Sequence, residues 1–315
     1  MKKTKKIKIT AAVIAALTAA AVGSISLAVA SAKRHSAELA DPDIIDSDIE
    51  ITANSFIVEH TSPIHLEDEL KPKIDEILSQ IQAQCGGDWT VYIYVPSTGD
   101  ELSINNKKNS GKKMQAASVI KLFIMGAAYE NYDRLIKECG EDAFNEMMEN
   151  MITISDNWAA DELVTYLGNG DEVKGRAVVN DFCKSHGFDD TSMDRMMGDE
   201  IISADNYTTV EDTGHFLNMV LNAELAHSKE MMNYLKKQTR VNKIPEGLPG
   251  NVMSANKTGE LDDVENDAAI VFAGKPYILC VMSDGVNDFE PPIEAIAEIS
   301  AETYNYLAPI LVHID

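Results

Sequence analysis

MQAASVIKLFIMGAAY, residues 114–129, is the stretch on which the reading of this chain turns, because Lys121 is its only charged residue in sixteen. A run apolar nearly all round is a helix that expects burial. On a helix, the spacing of three from Ser118 sets the Lys121 ammonium beside the serine hydroxyl. Apolar surroundings favour the neutral amine, which can accept a proton near neutral pH. A serine next to such a base is an activated nucleophile, and the helix N-terminus aims backbone N–H groups at an oxyanion formed there. The plainer alternative is a lysine that snorkels out of a core helix.

Context separates this Ser-x-x-Lys from the two others in the chain. Ser110/Lys113 lies in a polar stretch, and Ser254/Lys257 lies along a strand pattern, where a spacing of three puts side chains on opposite faces. Downstream of Ser118 come Ser155-Asp156-Asn157 and Lys257-Thr258-Gly259. The first alone could be a helix cap before Trp158, and the second alone a strand end. Both triplets in this order behind a Ser-x-x-Lys helix would arise by chance in about one chain in a hundred.

Outward from these motifs, an amphipathic helix is expected with Leu70, Ile74, Ile77, Leu78 and Ile81 on one face, Pro72 in its first turn and Gly86-Gly87 as its stop. Two strands, 89–95 and 101–104, join through Ser97-Thr98-Gly99-Asp100 as a hairpin. Residues 114 to about 245 read as helical. Strands follow at 252–258, 267–273 and 277–283, then a helix from about 292 to 307. The economical arrangement is an α/β (α+β) fold: one antiparallel five-stranded sheet built from both ends of the domain, flanked by helices and carrying an all-helical insert.

The remainder of the chain addresses location. Five lysines in the first eight residues precede 24 uncharged ones, 9–32, with small-residue triplets at 28–30 and 30–32. Residues 1–32 therefore read as a signal peptide or as an uncleaved signal anchor held in the cytoplasmic membrane through residues 9–32. Residues 33–65 form an acidic spacer and 66–315 the working domain, secreted or held on the outer face of the membrane. With 51 acidic against 27 basic residues and a net charge of −24, the protein repels phosphate backbones, so nucleic acid is not an expected partner. A composition of 45% hydrophobic and 25% charged residues excludes disordered, collagen-like and polytopic membrane classes. One pair among Cys85, Cys139, Cys183 and Cys280 could bridge in an oxidising compartment. No cofactor is expected, and the seven histidines show no metal-ligand spacing.

Ser-x-x-Lys, Ser-Asp-Asn and Lys-Thr-Gly in this order resemble the set of class A β-lactamases and penicillin-binding proteins. Ile244-Pro245-x-Gly247-Leu248-Pro249, Asp194-Arg195 at the start of an omega loop and Thr208-Thr209 at its end add to the likeness, which extends from about Leu66 to Leu307. The resemblance implies a β-lactamase/transpeptidase-like fold and a serine hydrolase of β-lactam or D-alanyl amide bonds. In it, Ser118 is acylated and Lys121 takes its proton. Ser155 and Lys257 relay a proton to the leaving nitrogen, Lys257 also supplying positive potential. Asn157 binds the substrate's amide side chain and Thr258 its carboxylate. The N–H groups of Ser118 and Glu260, the residue after Gly259, form the oxyanion hole.

The sequence departs from the family at three places. The glutamate that activates the deacylating water should stand two residues after Arg195, where this chain has Met197; Asp199 and Glu200 are the nearest substitutes. A shortened stretch from Lys121 to Ser155 predicts a more open wall. Strand 267–273 carries no arginine for a substrate carboxylate, leaving Lys243 or Arg240 to supply the cation, while Glu260 adds negative charge. The expected function is a Ser118 acyl-enzyme with β-lactams that deacylates slowly. The alternatives are a D,D-carboxypeptidase or penicillin-binding protein acting on peptidoglycan stem peptides, and a membrane-anchored penicillin sensor.

Overall fold

The computed structural model describes residues 64–106, 113–201 and 204–313. Residues 1–32, read above as a signal peptide or signal anchor, and nearly all of the expected spacer lie outside the described residues, as does Ser110. At the spacer's end Ile64 is already buried, and the His65 N–H donates to the Tyr306 hydroxyl, so packing starts two residues before 66.

A short π-helical turn at Leu66–Leu70 leads into α1 (Lys71–Cys85), and the five predicted apolar residues of this segment are buried. Gly86 ends it with φ 73°, a left-handed conformation that costs glycine nothing. Strands β1 (Gly86–Val95) and β2 (Asp100–Asn105) form the predicted hairpin. From the C-terminal third come β5 (Met253–Leu261), β6 (Val264–Ala273) and β7 (Lys275–Val286). The sheet order is β2-β1-β7-β6-β5, with every pair antiparallel. Strands from both ends of the domain thus meet at β1 and β7.

Alternation along these strands sorts the core into two layers. Trp89, Val91, Ile93, Tyr277, Leu279 and Val281 pack on one face against α1 and the final helix α9 (Glu290–Leu311). Tyr92, Ile278, Cys280 and Met282 point to the other face and join the helical block. That block comprises α2 (Lys121–Glu130), α3 (Tyr132–Cys139), α4 (Glu141–Thr153), α5 (Asn157–Leu167), α6 (Glu172–Ser185), α7 (Val210–Leu221) and α8 (Ser228–Leu235). Within it α2 is enclosed on all sides, as its apolar circumference requires: every residue from Lys121 to Tyr129 is buried.

Two features differ from the sequence expectation. The insert is not wholly helical, because β3 (Met114–Gln115) pairs with β4 (Tyr207–Thr208), a two-residue ladder too short to leave a periodic signal. The four cysteines are all free thiols. Cys85, Cys183 and Cys280 are each enclosed in packed core, and Cys139 is half-buried.

Candidate active site

Ser118 sits in a single 3-10 turn, Ala117–Ile120, that runs directly into α2. The turn is held from both sides. The Ala116 N–H donates to the Asn206 carbonyl, and Asn266 Nδ2 on β6 donates to the carbonyls of Gln115 and Ala116. Ala117 is in the left-handed region at φ 45°, a strain of about 1–3 kcal/mol that surrounding contacts must hold in place. Ser155, at φ 62°, is a second such residue. Strand β5 passes close by, and a Cβ on Gly259 would come within 2.9 Å of the Ala116 carbonyl and 3.1 Å of Val119, so only glycine lets strand and turn approach this far.

Lys121 reaches Ser118 as the spacing predicts. Its Nζ lies 3.1 Å from Ser118 Oγ, 3.3 Å from Ser155 Oγ, and 2.6 Å from both the Ser155 carbonyl and Asn157 Oδ1. Burial lowers its pKa to about 7, against the raising influence of Asp156 and Asp161. A neutral amine has two hydrogens and one lone pair. The two shortest contacts are to pure acceptors and use both hydrogens, which leaves the lone pair for a serine hydroxyl. Lys257 continues the chain, donating to Ser155 Oγ at 2.9 Å and to the Thr258 carbonyl at 2.8 Å. Full burial, then the nearby charges of Lys121 and Arg240, hold the Lys257 pKa well below the ordinary ammonium range, which opposes the standing positive charge expected of it. An unbroken polar path therefore runs Ser118–Lys121–Ser155–Lys257.

The Ser-Asp-Asn loop satisfies both of its sequence readings. Asp156 is the N-cap of α5, accepting from the Ala159 N–H at 2.7 Å, while its neighbours Ser155 and Asn157 turn to the lysines. Thr258 Oγ1 is buried without a hydrogen-bond partner among the described residues, an unmet capacity that a ligand oxygen would satisfy.

Met197 stands where the family's deacylating glutamate is expected and is buried. Its loop is pinned by Arg195, which donates to Asp205 at 2.7 Å in a buried pair and to the carbonyls of Met196 and Asp199. Asp199, a proposed substitute base, instead accepts from the Met196 N–H within the loop, and Glu200 is exposed. The expectation for Lys243 as a carboxylate-binding cation is corrected: it has no solvent exposure, donates to Glu260 at 3.1 Å and to the Asn266 carbonyl, and is ion-paired with Glu265 at 2.5 Å. Two glutamates have consumed its charge. Glu260 is neither free nor turned away, because its carboxylate also pairs with Arg240.

Sequence reasoning missed Asp161, whose two oxygens accept from the Met197 and Gly198 N–H groups at 2.6 and 2.8 Å. Burial pushes its pKa up against those two bonds. The signal was present, since a carboxylate one helical turn after Asn157 shares its face. Asn206, which accepts from the Asp194 and Arg195 N–H groups, and Asn266 left no comparable pattern.

Fold and polar path together define a serine hydrolase of the β-lactamase/transpeptidase type. The family model described as the β-lactamase enzyme family matches residues 69–135 and 143–307, and the chain belongs to that family. Solved structures share its fold. An ancestral class A β-lactamase is 21% identical, with TM-score 0.63 over 74% of this chain and 99% of the other. A β-lactamase from Sphaerobacter thermophilus is 21% identical, with TM-score 0.63 over 77% and 97%. PBP-A, solved as a point mutant in an acyl-enzyme complex with penicillin G, is 20% identical, with TM-score 0.64 over 76% and 97%. No curated protein matches the chain in sequence.

Proposed function

We propose that this protein works outside the cytoplasm as a serine hydrolase that forms a Ser118 acyl-enzyme with β-lactams and releases it slowly. The observation that carries the reading is Lys121: a buried amine whose two hydrogens are engaged by its shortest contacts and whose nearer hydroxyl, at 3.1 Å, is that of Ser118. In the reaction, Ser118 Oγ attacks the lactam carbonyl as its proton passes to Lys121. Charge builds on the carbonyl oxygen, against the N–H groups of Ser118 and Glu260. Ser155 Oγ gives its proton to the departing nitrogen and takes in return, across their 3.3 Å contact, the proton that Lys121 accepted from Ser118, while Lys257 holds the Ser155 hydroxyl in place. Asn157 and Thr258 hold the substrate's amide side chain and carboxylate.

Slow release follows from the loop. Met197 offers a thioether, which has no basicity for activating water, and the Asp199 carboxylate is bound to the loop's own backbone. The same observation favours a second reading, a D,D-peptidase acting on peptidoglycan stem peptides, in which acyl transfer from a D-alanyl donor is the physiological step. The acyl-enzyme that PBP-A forms with penicillin G supports this alternative as an analogy of fold.

Intact mass spectrometry of the protein mixed with benzylpenicillin, followed over minutes to hours, tests the proposal. The expected result is a long-lived adduct of the drug's full mass that Ser118→Ala abolishes. Rapid return to the free mass with hydrolysed drug would overturn slow release. Absence of both adduct and hydrolysis would overturn penicillin recognition.

A further inference from the structure

Arg240 is the cation best placed to meet a substrate carboxylate, and the structure shows it already occupied. The segment that carries it is clamped between the two motif-bearing elements. Gln238 donates to the Ile152 carbonyl at 2.8 Å, and Thr239 donates twice to the Thr153 carbonyl, just ahead of Ser155. On the other side the Arg240 carbonyl accepts from Asn256, the residue before Lys257. The guanidinium is close enough to both catalytic lysines to disfavour their protonation. Its side chain is 42% exposed, whereas Lys243, the other cation of the group, has no exposure.

What fills Arg240 is the side chain of Glu260, whose backbone follows Gly259 on β5. One Glu260 oxygen pairs with Arg240 Nη1 and the other with Lys243. Glu265 takes the remaining valence of Lys243. Two cations and two carboxylates balance, leaving no uncommitted positive charge in the group for an incoming anion. A substrate carboxylate and the Glu260 carboxylate have the same shape and charge and fit the same planar donor fork.

We propose that Glu260 is a specificity-determining residue: its carboxylate rivals that of the substrate for Arg240, and so biases the site toward amide donors whose leaving portion carries no free carboxylate. A neutral ester or amide reaches the serine without displacing Glu260, while an anionic one must first separate it from Arg240. This inference rests on the acyl-enzyme reading above, and deepens it by naming the substrate class.

The test compares second-order acylation of the full chain by benzylpenicillin and by its methyl ester, read by mass spectrometry as the acid-to-ester ratio. Taking the ratio cancels any common effect of a substitution on the chemistry at Ser118. Glu260→Gln removes the rival charge while keeping the side-chain size and the backbone N–H. It is expected to raise the ratio about threefold to fivefold, the upper scale of one exposed charge pair. Arg240→Gln combined with Glu260→Gln should cancel that rise, because the gain requires the vacated arginine. A ratio unchanged by Glu260→Gln, or a rise that persists without Arg240, would overturn the inference while leaving the acyl-enzyme reading intact. Failure of the unmodified protein to form an adduct with either compound would overturn both.

Discussion

Helix α5 supplies one residue to each of two polar assemblies, and they are built for different ends. Asn157 in its first turn receives Lys121, on the side of Ser118. Asp161, one turn later, receives the N–H groups of Met197 and Gly198, on the side of the loop between Arg195 and Asp205. On the first side the groups are an amine, two hydroxyls and a second amine in hydrogen-bond sequence, each able to pass a proton. On the second side Asp161, Asp199 and Asp205 hold the loop, each accepting from loop backbone N–H groups or from Arg195, while Glu200 is exposed. Having carboxylates nearby is therefore different from having a base. What withholds Asp161 is geometry, since both of its oxygens are engaged by the Met197 and Gly198 N–H groups although burial raises its pKa.

Substitutions can break this contrast in order of size. On the acylating side, Lys121→Ala should slow adduct formation with benzylpenicillin roughly 10³-fold, the range for loss of a positioned general base. Stopped-flow or quenched mass measurements read it directly, and a loss under tenfold would remove Lys121 from the role. On the loop side the corresponding experiment is a gain. Met197→Glu should speed release of the acyl group by about 10²-fold and turn a slow acyl-enzyme into a catalyst of measurable turnover. Steady-state hydrolysis of a chromogenic cephalosporin is the readout, and no gain would mean that the side chain at 197 does not face the ester.

A third substitution separates holding from chemistry. Asp205→Ala leaves Arg195 buried without its counter-ion, a loss of about 3–5 kcal/mol in stability. Thermal unfolding should move down by roughly 10 °C, since about 2–4 °C accompanies each kcal/mol in a domain of this size. The smallest effect is one of pH. With its pKa held at about 7 by burial, Lys121 is protonated and unable to accept the serine proton below that value. Acylation should fall about tenfold per pH unit as pH drops below 7, and level off above it. A flat profile between about pH 5 and 8 would contradict a titrating Lys121.

How much of this was legible in the sequence divides along the same line. The approach of Lys121 to Ser118 was readable, because helical spacing and an isolated charge in an apolar run report local geometry, and the order of the motifs named Ser155 and Lys257. The five strands were readable as well, since their alternation separates Trp89, Val91 and Ile93 from Tyr92 within a single strand. What escaped were contacts between residues far apart in the chain with no periodic pattern. Asn266 reaching Gln115, Glu260 reaching Arg240, and the buried enclosure of Lys243 by two glutamates are of this kind. Lys243 was misjudged for a physical reason: a lysine is ordinarily at the surface, and only the fold shows that Glu260 and Glu265 enclose it. A two-residue ladder such as β3–β4 has too few residues to show alternation at all.

The Ser155–Lys257 hydrogen bond spans 102 residues of chain, and Lys121 reaches Ser155 across 34. The nucleophile lies at the start of the helical block and Lys257 on a strand beyond its end, so the polar path is completed only when the C-terminal strands add to the sheet. Contacts of such long sequence separation form late in folding. A chain emerging from its N-terminus first carries Ser118, Lys121 and Ser155 well before Lys257, and in that state the relay has a gap. In refolding from denaturant, the gain of acylation by benzylpenicillin is therefore expected to report closure of the sheet, the point at which the last third of the polypeptide has found its place.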